Sequence, residues 1–243
     1  MIYLKLDATD STNSFLRKLV REGNAANWTV VSTERQIQGR GQRGANWFSD
    51  ENKNFTFSIL IKGYRIKARD QFLLNCAVSI AVCKTLKDHG TPRLKVKWPN
   101  DIMSGASKIA GILIENSIMN DLVSYSIVGI GLNINQEEFP EGLPAAVSLL
   151  QLTGRTFDLD SLLRELTESI EHVFRLFQEG KPEVLRDNYQ NMLFKKNTPH
   201  MFRIPEGDPF VGRILGVSEE GLLIVEKEDK RIDKYAFKEI EYL

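Results

Sequence analysis

The chain has 243 residues, 42% of them hydrophobic and 26% charged, and its 32 Lys plus Arg balance 32 Asp plus Glu. That length supports one sizeable core with a smaller appended unit, in an ordinary globular composition. Zero net charge gives no broad basic face for nucleic acid, no run of about 18 apolar residues offers a membrane span, and the start MIYLKLDATDSTN is no secretory signal, so a cytoplasmic address is expected.

In chain order, YLKL reads as a short strand ending at Asp7. Asp10 or Ser11 then caps a helix with Phe15, Leu16, Leu19 and Val20 on its apolar face, stopping near Gly23. WTVVST reads as a strand that feeds a glycine loop, and NFTFSILI as a strand with Phe55, Phe57, Ile59 and Ile61 on one face. QFLLNCAVSIAVCKTL is apolar almost all round and predicts a buried helix ended by His89 and Gly90. LKVKW, IAGILIE and SYSIVGIGLNIN are three further strand candidates, and residues 136–146, with Pro140, Gly142 and Pro144, predict an exposed connection. An amphipathic helix follows, with the stripe Leu162, Leu163, Leu166, Ile170, Val173, Phe174 and Phe177, then a second helix over 182–192. From about Lys195 the short alternating strands HMFRI, FVGRILGV, GLLIVEK and IDKYAF predict a small β-barrel appended to an α+β unit.

Several chemistries drop out early. Cys76 and Cys83 stand on one predicted helix about 10 Å apart, too far for a disulfide, and read as core residues. His89, His172 and His200 show no metal-ligand spacing, and no G-x-S-x-G elbow is present.

The glycines of GRGQRGANWF (39–48) spell G-x-G-x-x-G, the spacing of a dinucleotide turn. That turn needs a helix behind it to hold the pyrophosphate, and here ANWFSDENKN leads into a strand instead. A glycine loop carrying Arg40 and Arg43 can instead close over an anion, because guanidinium groups grip phosphate or carboxylate; a solvated surface loop is the alternative. KVKWPND places Lys97, Asn100 and Asp101 at a strand's end, as a site or as simple turn chemistry. Lys108 follows the flexible SGAS, and Gly111 weakens its strand unless something approaches closely. In IVGIGLNIN the parity puts Gly129, Gly131, Asn133 and Asn135 on one face, a poor core but a good ligand floor; a solvent-facing edge is the alternative.

Taken together, DSTN (10–13), GRGQRGANW (39–47), KWPND (97–101), KIAGILIE (108–115) and GIGLNIN (129–135) resemble the biotin protein ligases in order and spacing, over essentially the whole chain. The resemblance implies an α+β fold: a mixed β-sheet with helices, like the class II aminoacyl-tRNA synthetases, over residues 1–194, and an SH3-like barrel over 195–243. With DSTN at residue 10 there is no room for the family's N-terminal DNA-binding domain, which implies the monofunctional class, without a DNA partner and as monomer or homodimer.

The implied reaction joins biotin to Mg·ATP as biotinyl-5′-AMP, then to a lysine of a biotin carboxyl carrier protein, with no permanently bound cofactor. The family's roles carry over residue by residue. Lys108 and Arg40 are the catalytic pair, and Ser11, Thr12, Gln36, Gly39 and Gly111 join them around biotin. Arg43, Trp47, Lys97, Asn100 and Asn133 serve ATP and the adenylate, with Asp101 as a candidate metal ligand. Lys108 and Gly111 have opposite strand parity, so a shared ligand requires a local bulge. One departure stands out: where the family reads G-R-G-R-x-x-R-x-W, this chain has Gln42 and Ala45. The rival readings are a lipoate or octanoate ligase or transferase on the same core fold, and a non-catalytic nucleotide or single-strand binder.

Overall fold

The computed structural model describes residues 1–42, 46–141, 145–178 and 182–243. Seven strands build the first sheet: β1 (Ile2–Thr9), β2 (Thr29–Gln36), β3 (Phe55–Lys62), β4 (Leu94–Lys97), β5 (Asp101–Ser104), β6 (Ser107–Met119) and β7 (Leu122–Leu132). Their order is β1-β2-β3-β7-β6-β5-β4, parallel between β1 and β2 and antiparallel elsewhere.

Among the described residues five α-helices accompany it: α1 (Thr12–Arg21), α2 (Phe72–Asp88), α3 (Leu149–Thr153), α4 (Leu159–Gln178) and α5 (Pro182–Met192). None of them is long and apolar enough to cross a membrane. Helix α1 follows the extended Ser11 and gives way to Gly23 at φ 74°, where glycine carries the left-handed turn. Helix α3 was not expected; a Ser148–Gln151 capping box starts it and Gly154 at φ 70° ends it.

Strand β3 carries the expected four residues on one face, and its other face is buried as well. Phe55, Phe57, Ile59 and Ile61 enter the main core, while Leu60 packs under Leu16 of α1 on the opposite face. Helices therefore cover both faces of the sheet. Helices α2 and α4 seal one face, and α2 is buried nearly all round because α4 and α5 press on it from outside. The short α1 covers only part of the other face. Thr56, Gly111, Gly129 and Gly131, which share that face by strand parity, line the floor of a cleft, while Ser58 on the same face is buried beneath Thr12 and Asn13 of α1.

The C-terminal strands β8 (Pro199–Arg203), β9 (Phe210–Val217), β10 (Leu223–Lys227), β11 (Ile232–Tyr235) and β12 (Glu241–Tyr242) form an antiparallel sheet ordered β11-β10-β9-β8-β12. The expected barrel is thus a five-stranded sheet with β11 and β12 at its edges in that order. It is joined to the rest of the fold by one continuous apolar cluster, by Trp98 Nε1 of the β4–β5 turn donating to Gly221 O at 2.9 Å, and by Gln190 Nε2 of α5 donating to Val217 O at 2.6 Å. The predicted exposed connection after β7 begins buried: Gln136 is 1% exposed, and its side-chain oxygen accepts from Asn54.

Candidate active site

The cleft encloses about 410 Å³ between the N-terminus of α1, the glycine loop, the exposed sheet floor and the final strand β12. That volume suits a ligand of drug size or a little larger. At one end lie Ser11, Thr12 and Gln36. Ser11 caps α1 with its backbone alone, so its side chain spends nothing on the helix. Gln36 Oε1 accepts from Thr12 N at 2.9 Å, which turns its amide nitrogen away from Thr12.

The two described arms of the glycine loop pair antiparallel. Arg40 bridges Asn46, and Trp47 N donates to Gly39 O at 2.9 Å. Among the described residues no α-helix stands between this loop and β3, which disfavours the dinucleotide reading. Gly39 was expected beside the ligand, yet a Cβ there would overlap the Trp47 carbonyl and stand 2.9 Å from Gln36 Nε2. Its glycine is required by the loop itself. The Arg40 guanidinium donates to Ser14 Oγ of α1, tethering the loop across the cleft mouth. Arg43 and Ala45 lie outside the described residues, whereas Gln42 lines the cleft.

Trp47 lies on the sheet floor. Gly111 and Gly131 are register partners on β6 and β7, and a Cβ at Gly131 would overlap the indole. At Gly111 a Cβ would sit 3.2 Å from both Trp47 Cζ3 and Lys108 Nζ. The glycine pair is therefore a seat for an aromatic ring. Lys108 Nζ stands 5.5 Å from the indole centroid and 2.6 Å from Asp101 Oδ1.

The expected bulge is present. Met103 pairs with Lys108 but Ile102 with Ala110, so Ile109 is the extra residue in β6. This shift brings Lys108 onto the face of Gly111, and both line the cleft. Asp101, expected as a candidate metal ligand, is instead engaged by Lys108. Among the described residues no group of three or more His, Cys, Asp or Glu stands together to hold a metal.

At the other end, the Lys97 ammonium lies over the Tyr242 ring at 4.8 Å. Burial holds Lys97 below the usual lysine range; Asp101 opposes that shift, and Lys108 and Lys195 add to it. Asn100 lines the cleft, but its amide donates to Ile112 O at 2.6 Å and ties the β4–β5 turn to β6. Asn133 is placed elsewhere. Strand β7 ends at Leu132, so the parity that put Asn133 on the floor lapses, and its amide donates to Val147 O at 3.2 Å instead. Cys76 and Cys83 are buried in the core, each thiol pushed up to about 12 by burial.

Sequence reasoning does not single out Asn13, Ser58, Trp98 or Tyr242. Asn13 stood inside the DSTN motif and could have been read from it. Tyr242 sits on a two-residue strand near the chain end and gives no periodic signal.

The model of the Biotin/lipoate A/B protein ligase family matches residues 6–133. Bifunctional ligase/repressor BirA of Bacillus subtilis is 27% identical over 226 residues, covering 92% of this chain and 69% of that protein. Biotin--[acetyl-CoA-carboxylase] ligase of Paracoccus denitrificans is 32% identical over 165 residues, 65% of this chain and 67% of that protein. Among solved structures, the biotin protein ligase from Aquifex aeolicus in complex with biotin and ATP aligns with 100% of this chain and 99% of its own, at TM-score 0.82 and 25% identity.

Proposed function

Since this chain belongs to the biotin/lipoate A/B protein ligase family, we propose that it activates biotin with ATP and passes it to a lysine of a carrier protein. It is a biotin protein ligase that works through biotinyl-5′-AMP. The observation that carries the reading is the pairing of a neutral polar cleft end at Ser11, Thr12 and Gln36 with a cationic one at Lys97 and Lys108. A uniformly apolar fatty-acyl chain has no use for the first group. Biotin's ureido ring does, and its valeryl carboxylate then points toward Lys108.

In the first step a carboxylate oxygen of biotin attacks the α-phosphorus of ATP, and the bond to the β-phosphate oxygen breaks, releasing pyrophosphate. Lys108 exchanges Asp101 for the oxygens of the α-phosphate and offsets the charge that gathers there. Arg40 closes the loop over the site and excludes the water that would hydrolyse the anhydride. Trp47, on its glycine seat, positions the adenylate, while Lys97 and Asn100 face the nucleotide. Mg²⁺ enters with ATP as its phosphate counterion. In the second step the neutral ε-amine of the carrier lysine attacks the acyl carbon, AMP leaves, and the amine gives up its proton. No enzyme nucleophile is needed, in keeping with the raised thiols of Cys76 and Cys83.

We further place the catalytic unit in residues 1–194 and the appended unit in 195–243, with a biotin carboxyl carrier domain as partner and the cytoplasm as location. The test of the first step is isotope exchange between pyrophosphate and ATP. Exchange should require biotin and should not be supported by lipoate or octanoate; exchange driven by lipoate would move the assignment to the rival branch of the family.

A further inference from the structure

We propose that Glu115 fixes the hydrogen-bond polarity of the ureido end of the cleft, acting through Asn13 and Ser58, so that Thr12 Oγ1 faces the ligand as an acceptor. The inference deepens the biotin assignment above and rests on it.

Glu115 closes the KIAGILIE segment on β6 and pairs with Arg17 of α1 through Oε1. Its Oε2 accepts from Asn13 Nδ2 at 2.7 Å, and Leu113 O lies 3.4 Å from the same nitrogen. A carboxylate paired with arginine and a backbone carbonyl can only accept, so the NH₂ of Asn13 must face them. The orientation of this amide thus follows from chemistry rather than from assignment of its atoms. Gly129 leaves the amide its place, since a Cβ there would overlap Asn13 Oδ1.

Asn13 Oδ1 consequently faces Ser58 Oγ at 2.6 Å, and Ser58 Oγ also lies 2.7 Å from Thr12 Oγ1. The serine has one hydrogen, and an amide oxygen cannot supply another, so that hydrogen goes to Asn13. The 2.7 Å contact then needs the hydrogen of Thr12. The competing acceptor, Gln36 Oε1, stands 3.4 Å from Thr12 Oγ1 and already accepts from Thr12 N. Thr12, Asn13 and Ser58 are 3%, 3% and 0% exposed, so bulk solvent does not rewrite the chain of donors. Thr12 Oγ1 keeps its lone pairs for the cleft, beside Gln36, whose nitrogen remains a donor. An acceptor next to a donor complements the N–H and C=O of a cyclic urea. Glu115 is a positioning residue in this scheme: it touches no ligand.

The test compares biotin with analogues in which one ureido N–H is replaced by a ring oxygen, made as both regioisomers, using equilibrium Kd values on the full chain. The wild type should reject one regioisomer by on the order of 10- to 100-fold, because an acceptor would then face an acceptor. In Glu115→Gln a neutral amide can offer either end to Asn13, the relay loses its direction, and the ratio should shrink by roughly 10-fold. Should that variant fail to fold, Ser58→Ala frees the Thr12 hydrogen and should shrink the ratio likewise. A merely structural defect would weaken biotin and analogue together. An unchanged ratio in a folded variant, or no discrimination by the wild type, overturns the relay while leaving the ligase assignment intact. Failure of the wild type to bind biotin at all overturns both.

Discussion

Replacing Gly131 with alanine adds one methyl group to a β-strand that readily accepts alanine, yet it should cripple adenylate formation. The new Cβ would overlap Trp47 Cε2 and lie 2.6 Å from Cδ2 and Cζ2. Carbon atoms rest at about 3.5–4.0 Å, so the indole must retreat by roughly 1 Å. The backbone of Trp47 cannot follow freely, because its N–H is held by Gly39 O at 2.9 Å. A displacement of that size beside the reacting groups costs on the order of 100-fold in rate, or about 2.7 kcal/mol of transition-state stabilisation. Overpacking adds about 1–3 kcal/mol of instability if the ring stays in place. Biotin-dependent pyrophosphate exchange gives the rate, and a thermal melt shows that the protein is folded. The decisive comparison repeats Gly131→Ala in a Trp47→Ala background, where no ring remains to be displaced and the second substitution should be nearly silent. Equal losses in the two backgrounds would refute the seat, because contacting residues couple and independent ones add.

Three further outcomes follow from the same geometry. Lys97 is held below the usual lysine range by burial, so it loses its charge early as pH rises; KM for ATP should climb on the alkaline side below about pH 10.4, and Lys97→Arg should abolish that climb. For folding the sign is reversed, since the unfolded chain retains the proton in that window and the contribution of this group to stability rises with pH. Cys76 and Cys83, raised to about 12, should resist iodoacetamide in the native protein near pH 8, read by intact mass; rapid stoichiometric alkylation would contradict their burial. Gln42→Arg should slow escape of biotinyl-AMP when no carrier is present, and unchanged release of radiolabelled adenylate would dismiss a role for Gln42 in retaining it.

Local pattern made long elements legible and left short ones hidden. The stripe of α4, with Leu166 and Ile170 fully buried, repeats often enough to be read directly. Strand β5 spans only Asp101–Ser104 and begins inside residues with strong turn chemistry, so its strand state depends on β4 and β6 on either side. The bulge at Ile109 could be inferred as necessary from the parity of Lys108 and Gly111, though not located. Asn133 shows the opposite failure: parity is valid only while the strand lasts, and this one stops one residue earlier. Glycine gave the clearest functional signal and the least certain meaning. Gly39 serves its own loop, whereas Gly111 and Gly131 make room for Trp47. Only the fold reveals which neighbour each glycine admits.

In the proposed reaction one cleft makes biotinyl-5′-AMP and hands its acyl group to a carrier lysine, with Lys108 as the charge partner of the α-phosphate. The most direct measurement incubates the protein with labelled biotin, Mg·ATP and a biotin carboxyl carrier domain, beside Lys108→Ala. Stoichiometric labelling of one carrier lysine with equal release of AMP and pyrophosphate is the predicted result, lost by orders of magnitude in the variant. No labelling by the wild type, or labelling that survives undiminished in Lys108→Ala, would contradict it.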